Sequence, residues 1–79
     1  MNHVSLNTMQ PGEKGVIKEI NGSSSHVHQR LLEMGLTKGT AVEIIRFAPM
    51  GDPIEISVRG YRLSLRKVEA ETVQIAKDV

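Results

Sequence analysis

Two runs of alternating side chains, separated by Arg59-Gly60, constrain the fold more than any other stretch of the chain. Ile54, Ile56 and Val58 alternate with Glu55 and Ser57, and beyond the break Tyr61, Leu63 and Leu65 alternate with Arg62 and Ser64. A period of two is that of a strand with one buried face. With Arg59-Gly60 as the loop of a hairpin, Val58 faces Tyr61, Ile56 faces Leu63 and Ile54 faces Leu65, so one register turns all of these apolar side chains to the same side. On that reading Leu63 is a core residue, and Leu63→Ala opens a cavity costing about 2–4 kcal/mol. Glu55, Ser57, Arg62, Ser64 and Arg66 face outward. With Arg59 in the loop and Lys67 just beyond, they form a basic ridge, on which Glu55 is placed to neutralise Arg62 or Arg66 diagonally.

The other elements follow from local signals. Residues 1–8 are weakly patterned, and Gln10-Pro11-Gly12 is a turn, because proline presets one backbone angle and glycine accepts positive φ. A short strand is expected over 15–20, carried by Val16, Ile17 and Ile20 and ended by Asn21-Gly22. Ser23, Ser24 and Ser25 can each cap a helix start. Val27, Leu31 and Met34 then form one apolar stripe with Leu32 at its edge, while His26, Gln29, Arg30 and Glu33 fall on the solvent side. Gly35 closes this helix as a left-handed cap, with Leu36 tucked back against its end. Beyond Thr40 the period is two again, giving a strand over 41–47 buried on both sides. The segment 49–53 is a loop with prolines at both ends, 67–71 a turn or single helical turn, and 72–76 a last strand built on Val73 and Ile75.

About five short strands and one inserted helix cannot make a parallel, doubly wound sheet, because most of the connections are too short for crossovers. The expected fold is mostly β: a small, strongly bent antiparallel barrel, whose closure removes exposed strand edges. At 79 residues the chain is expected to form a single domain over 1–79.

Composition narrows the chemistry. There is no Cys, which removes disulfides, thiolate catalysis and thiolate metal sites and suits a reducing, cytoplasmic location. Ten basic against nine acidic side chains leave a formal net charge of +1, unlike the strongly basic balance of nucleic-acid binders. The only aromatics are Tyr61 and Phe47, both assigned to the core, so the ridge also lacks the stacking surfaces RNA binders use. No run approaches the roughly 20 apolar residues of a membrane span.

The candidate metal ligands are His3, His26 and His28. On a helix His26 and His28 point about 200° apart around the axis, so they do not chelate one ion, and no internal metal site or cofactor is expected. Met1-Asn2-His3 could wrap Cu(II) or Ni(II) through a free amino terminus, as an incidental property. Gly12-Glu13-Lys14-Gly15 lacks the ending of a phosphate-binding loop. Neither a nucleophile elbow nor a paired carboxylate is found, so the chain is not read as an enzyme. Met34 belongs to the core stripe; Met50, on the proline-flanked loop, is an exposed and adaptable contact.

The run Arg30-Leu31-Leu32-Glu33-Met34-Gly35-Leu36-Thr37-Lys38-Gly39-Thr40-Ala41-Val42 resembles the signature of the ferrous-iron-transport protein A family, FeoA. Ala48-Pro49-Met50-Gly51-Asp52-Pro53-Ile54, then Gly60-Tyr61-Arg62-Leu63-Ser64-Leu65-Arg66-Lys67 and Glu69-Ala70, resemble the same family's loop, hairpin and closing turn in order. The departures are Lys38, where proline is frequent, and the 23–28 segment, which matches no fixed pattern. The resemblance implies an SH3-like barrel. It implies a small cytoplasmic accessory, recruited to the inner face of the cell membrane, that docks on and regulates the ferrous-iron transporter FeoB, whose cytosolic part binds GTP. On this reading the protein is a monomer that hydrolyses nothing, carries no iron, binds no nucleic acid and does not insert in the membrane. The expected docking groove lies between the 49–53 loop, the 35–39 turn and the hairpin, with Met50, Asp52, Arg59, Arg62, Arg66, Leu36 and Lys38 as contacts. The alternative is a transition-metal-binding or metal-sensing domain, related to the C-terminal module of iron-dependent repressors.

Overall fold

The computed structural model describes residues 3–21 and 25–77. Its strands are β1 (His3–Ser5), β2 (Lys14–Ile20), β3 (Ala41–Phe47), β4 (Ile54–Val58), β5 (Tyr61–Leu65) and β6 (Val73–Lys77). Helix α1 (Ser25–Glu33) joins β2 to β3, the short helix α2 (Lys67–Ala70) joins β5 to β6, and a 3-10 turn spans Leu6–Thr8. All strand pairs are antiparallel, in one six-stranded sheet of order β1-β6-β2-β3-β4-β5. The fold is therefore mostly β with an inserted helix, as expected, but the sheet is not closed into a barrel: β1 and β5 stand at opposite ends of the order and do not pair. Bulges between Ile17 and Glu19 and between Ile44 and Arg46 bend the sheet around one core without joining its edges.

The hairpin has the expected register, Ile54 opposite Leu65, Ile56 opposite Leu63 and Val58 opposite Tyr61. Ile54, Ile56, Val58 and Leu65 are buried. Leu63 is only half-buried, and Tyr61, read from the sequence as inward, is 41% exposed. The physical reason is that β5 is an edge strand. Among the described residues no further strand pairs beyond it, and Tyr61 leans onto the end of α1 instead.

The N-terminal segment is more ordered than its pattern suggests. β1 pairs with β6 through Val4 and Ile75, and the 3-10 turn sinks Leu6 and Met9 into the core at 0% exposure. A three-residue strand is too short to show alternation, and a single 3-10 turn is too short to establish any period.

In α1 and the turn that follows it, Leu31 is fully buried, Val27 and Met34 are half-buried and Leu32 is exposed, the stripe read from the sequence. The expected cap at Ser23 or Ser24 lies outside the described residues. At the other end the Leu36 N–H reaches the Leu31 carbonyl at 3.1 Å and the Gly35 N–H reaches the Leu32 carbonyl at 3.0 Å, with Gly35 at φ +92° and Leu36 fully buried. This is a Schellman closure with its hydrophobic contact, and it fixes where the chain leaves the helix. Gly15 meets a different demand. A Cβ there would sit 2.3 Å from Ile75 Cγ2 and 2.8 Å from the Ala76 carbonyl oxygen, so β2 and β6 approach as closely as they do only over a glycine.

Burial ranks the hairpin leucines. Leu65→Ala should destabilise by about 2–5 kcal/mol and Leu63→Ala by clearly less, reversing the emphasis that alternation alone placed on Leu63. Urea unfolding of both variants checks the order, and equal losses would contradict the edge-strand assignment.

Candidate docking surface

The hairpin tip is fastened to the end of α1. Arg59, at φ +51°, and Gly60, at φ +83°, form the two-residue loop, so Arg59 occupies a left-handed conformation that disfavours a bulky side chain. Its guanidinium compensates. Arg59 Nε donates to the Gly35 carbonyl at 3.3 Å, and Nη2 donates to Thr37 Oγ1 at 3.1 Å and to Thr40 Oγ1 at 3.0 Å. The Tyr61 hydroxyl donates to the Met34 carbonyl. The Met34 carbonyl is left over at the negative end of the helix, where a hydroxyl donor and a nearby cation are favourable, and the Gly35 carbonyl, which also accepts the Thr37 N–H at 3.0 Å, follows directly. Gly35 is favoured by its positive φ, and a Cβ there would also lie 3.0 Å from the Tyr61 oxygen, a tight contact.

The far end of the hairpin is fastened through α2. Asp52 Oδ1 accepts the Lys67 N–H at 3.0 Å and ties the 49–53 loop to the first turn of α2. Glu69, nearly fully buried, accepts the Arg66 N–H on Oε1 at 2.9 Å, and its Oε2 lies 3.0 Å from Arg30 Nη1 of α1. Arg30, assigned by its spacing to the solvent side, therefore bridges the two helices, and its charge stabilises a carboxylate that burial alone would disfavour.

Between these anchors lies the outward face of the sheet. Register aligns Lys14, Glu43, Ser57 and Arg62 in one row across β2 to β5, and Arg46, Glu55 and Ser64 in another. Glu55 pairs with Arg46 at 3.5 Å, across β3 and β4, rather than with Arg62 or Arg66 as expected. The bulge at Ile44/Arg46 sets Arg46 directly opposite Glu55. Arg62 and Arg66 are exposed and make no ion pair among the described residues. An open groove of about 540 Å³ borders this face. Val16, Ala41 and Ala76 give it apolar walls, and Lys14, Glu43, Lys77, Ser57 and Arg59 contribute its polar lining.

At one end of the groove Lys77 Nζ lies 2.6 Å from Glu13 Oε2, while Glu13 Oε1 accepts the Gln10 N–H at 2.7 Å. The Lys77 hydrogen bond first, and the Gln10 N–H second, hold the Glu13 carboxyl below its ordinary range.

The residues read from the sequence as contacts do not line one groove. Arg59 is engaged in the helix clasp, and Lys38 lines a smaller hollow beside it with Gly39, Thr40 and Ala41. Leu36 is in the core. Met50 is 91% exposed and Asp52 is the α2 anchor, both at the opposite end of the hairpin. The length of β4, about 15 Å, separates the two groups. Arg62 and Arg66 lie on the outer surface between and beyond them. Sequence reasoning missed the clasp, although Arg at a loop position that favours Asn or Gly was a usable sign that the side chain is held elsewhere. Among the described residues no group of three His, Cys, Asp or Glu side chains converges as a metal site.

A family model for the FeoA domain matches residues 4–77. The chain belongs to the FeoA family. That family is linked to ferrous-iron transport. The chain is 29% identical over 70 residues to a Porphyromonas gingivalis protein in which Fe(2+) transport protein A is fused to the Fe(2+) transporter FeoB; the match covers 89% of this chain and 8% of that much longer protein. The NMR structure of a FeoA-like protein from Clostridium acetobutylicum superposes with a TM-score of 0.91 at 35% identity, covering 100% of this chain and 91% of that one. The zinc-complexed FeoA of Stenotrophomonas maltophilia, an SH3 domain protein, superposes at 0.78 and 26% identity, covering 90% of this chain and 87% of its own. The FeoA-family fold of this chain is thus SH3-like.

Two outcomes follow from these contacts. Arg59→Asn supplies the residue that the loop conformation prefers, so turn preference alone predicts a gain; loss of the clasp should instead lower stability by roughly 1 kcal/mol in urea unfolding. A stabilised variant would show the clasp to be inert. The depressed Glu13 carboxyl contributes stability that is present above its ordinary value of 4.5 and lost as pH falls through its lower folded value. Glu13→Gln should accordingly flatten the acid limb of the stability profile below about pH 4.5. An unchanged limb would contradict the Lys77 pairing.

Proposed function

We propose that this chain is a cytosolic, non-catalytic accessory of ferrous-iron uptake, which docks on the cytosolic GTP-binding part of a FeoB-type transporter and regulates it. The observation that carries the reading is the fused relative, in which a FeoA part and a FeoB part share one polypeptide. Fusion replaces association by a high effective concentration, so a separate FeoA chain must supply affinity through its surface.

The surface that supports this reading is the outer face of the hairpin. Arg62 and Arg66 are exposed cations without an ion pair among the described residues, and Met50 is an exposed, adaptable apolar side chain. Lys38 extends the cationic character toward the helix clasp. Leu36, Arg59 and Asp52 position this surface from beneath. Rim cations of this kind steer encounter and set salt dependence more than they set residence time.

Calorimetric titration of this protein with the isolated cytosolic part of FeoB, in each nucleotide state, tests the proposal. Binding that weakens as salt rises is expected. Arg62→Glu should leave the melting transition unchanged and weaken association roughly 3- to 10-fold, mainly through the on-rate. Absence of binding in both nucleotide states would overturn the docking reading.

A further inference from the structure

We propose that the open edge of β5 is a strand-docking site, at which an extended acidic segment of the partner adds to the sheet by main-chain hydrogen bonding. That the partner is a FeoB-type transporter rests on the preceding reading; the chemistry of the edge does not.

Among the described residues β5 pairs with β4 alone. In a hairpin whose two loop residues both have positive φ, the pair closing the loop, Val58 and Tyr61, is hydrogen-bonded. The ladder bonds of β5 then fall at Tyr61, Leu63 and Leu65. Arg62 and Ser64 occupy the alternate positions, so their N–H and C=O groups point away from β4, to the free edge. No backbone hydrogen bond outside the ladder involves either residue among the described residues. The other edge strand, β1, is three residues long and offers far less. The clasp by Arg59 and Tyr61 at one end and α2 at the other hold β5 in place before anything binds, which reduces the entropic cost of docking.

The side chains choose the occupant. Arg62 and Ser64 are exposed on the outer face, Arg66 follows directly, and Leu63 is half-buried on the inner face. Arginine on an edge strand opposes pairing with a second copy of the same edge, because a two-fold arrangement brings the like charges of both chains close together. The same charges attract carboxylates. The matching segment is extended, with acidic residues at alternate positions facing Arg62 and Arg66 and apolar residues between them covering Leu63. This is β-augmentation, with affinity from the backbone and specificity from alternate side chains.

Two probes test the proposal: the acetylated and amidated peptide (Glu-Val)₄, and the cytosolic part of FeoB. Arg62→Pro removes an edge N–H without removing a β4–β5 ladder bond, and Arg62→Ala removes the charge but keeps the N–H. Arg62→Pro should bind at least about tenfold more weakly than Arg62→Ala, and in complexes of the unmodified protein the Arg62 and Ser64 amides should exchange with solvent at least about tenfold more slowly. Equal binding by a folded Arg62→Pro, or unslowed amides in the complex, overturns the proposal. The exchange measurement decides the matter even if the proline variant does not fold. Peptide binding with slowed amides but no FeoB binding upholds the edge and removes FeoB as its partner. FeoB binding with unslowed amides does the reverse.

Discussion

The structure depends on the attachment of the β4–β5 hairpin tip to the C-terminal end of α1. A helix end leaves carbonyls without partners, and a hairpin at the end of an open sheet has no neighbour to hold it. Tyr61 answers the first by donating to the Met34 carbonyl, and Arg59 answers the second by donating to Gly35, Thr37 and Thr40. Because Arg59 is held there in a left-handed conformation, and Gly35 is kept free of a Cβ beneath Tyr61, the contact is specific in geometry as well as in chemistry. The consequence extends along the strand. With its tip fixed to α1 and its base fixed to α2 through Arg66 and Glu69, β5 presents Arg62 and Ser64 at a defined orientation.

Much of this was legible in the sequence. The hairpin register, the helix stripe and the Gly35 closure were all readable, because each rests on local periodicity or on one residue's backbone freedom. What was not legible rests on contacts distant in sequence. Nothing within the β5 run says that it lies at a sheet edge, so Tyr61 and Leu63 were assigned to the core like Leu65. Residues 1–8 read as weakly patterned because β1 and the 3-10 turn after it are each too short to show a period. The barrel was inferred from the general cost of open edges; β1 and β5 nevertheless remain apart. The candidate contacts divided in the same manner. Arg62 and Arg66 were correctly set outward by alternation, whereas Arg59, Asp52 and Leu36 were recruited by the fold, since their partners lie 15 to 24 positions away or in the core.

The near-zero net charge conceals how unevenly the charges are employed. Arg30, Arg46, Arg59 and Lys77 are committed to carboxylates or to helix and turn oxygens within the molecule. Arg62 and Arg66 are not, and they lie on or beside the strand with free backbone groups. On the proposed reading, two guanidiniums beside an open strand edge, in a chain whose charges otherwise balance, meet an acidic, extended partner. Membership of the FeoA family and the fused relative give that partner its proposed identity.

The central claim is that the clasped hairpin presents β5 to the transporter. Its most direct test is a chemical-shift map of this protein titrated with the cytosolic part of FeoB. The account predicts perturbations concentrated on β5 and Arg66, spreading to Ser57 across the ladder and leaving the core of β1 and β6 unchanged. Perturbations confined to the groove around Val16, Ala41 and Ala76, with β5 silent, would contradict it.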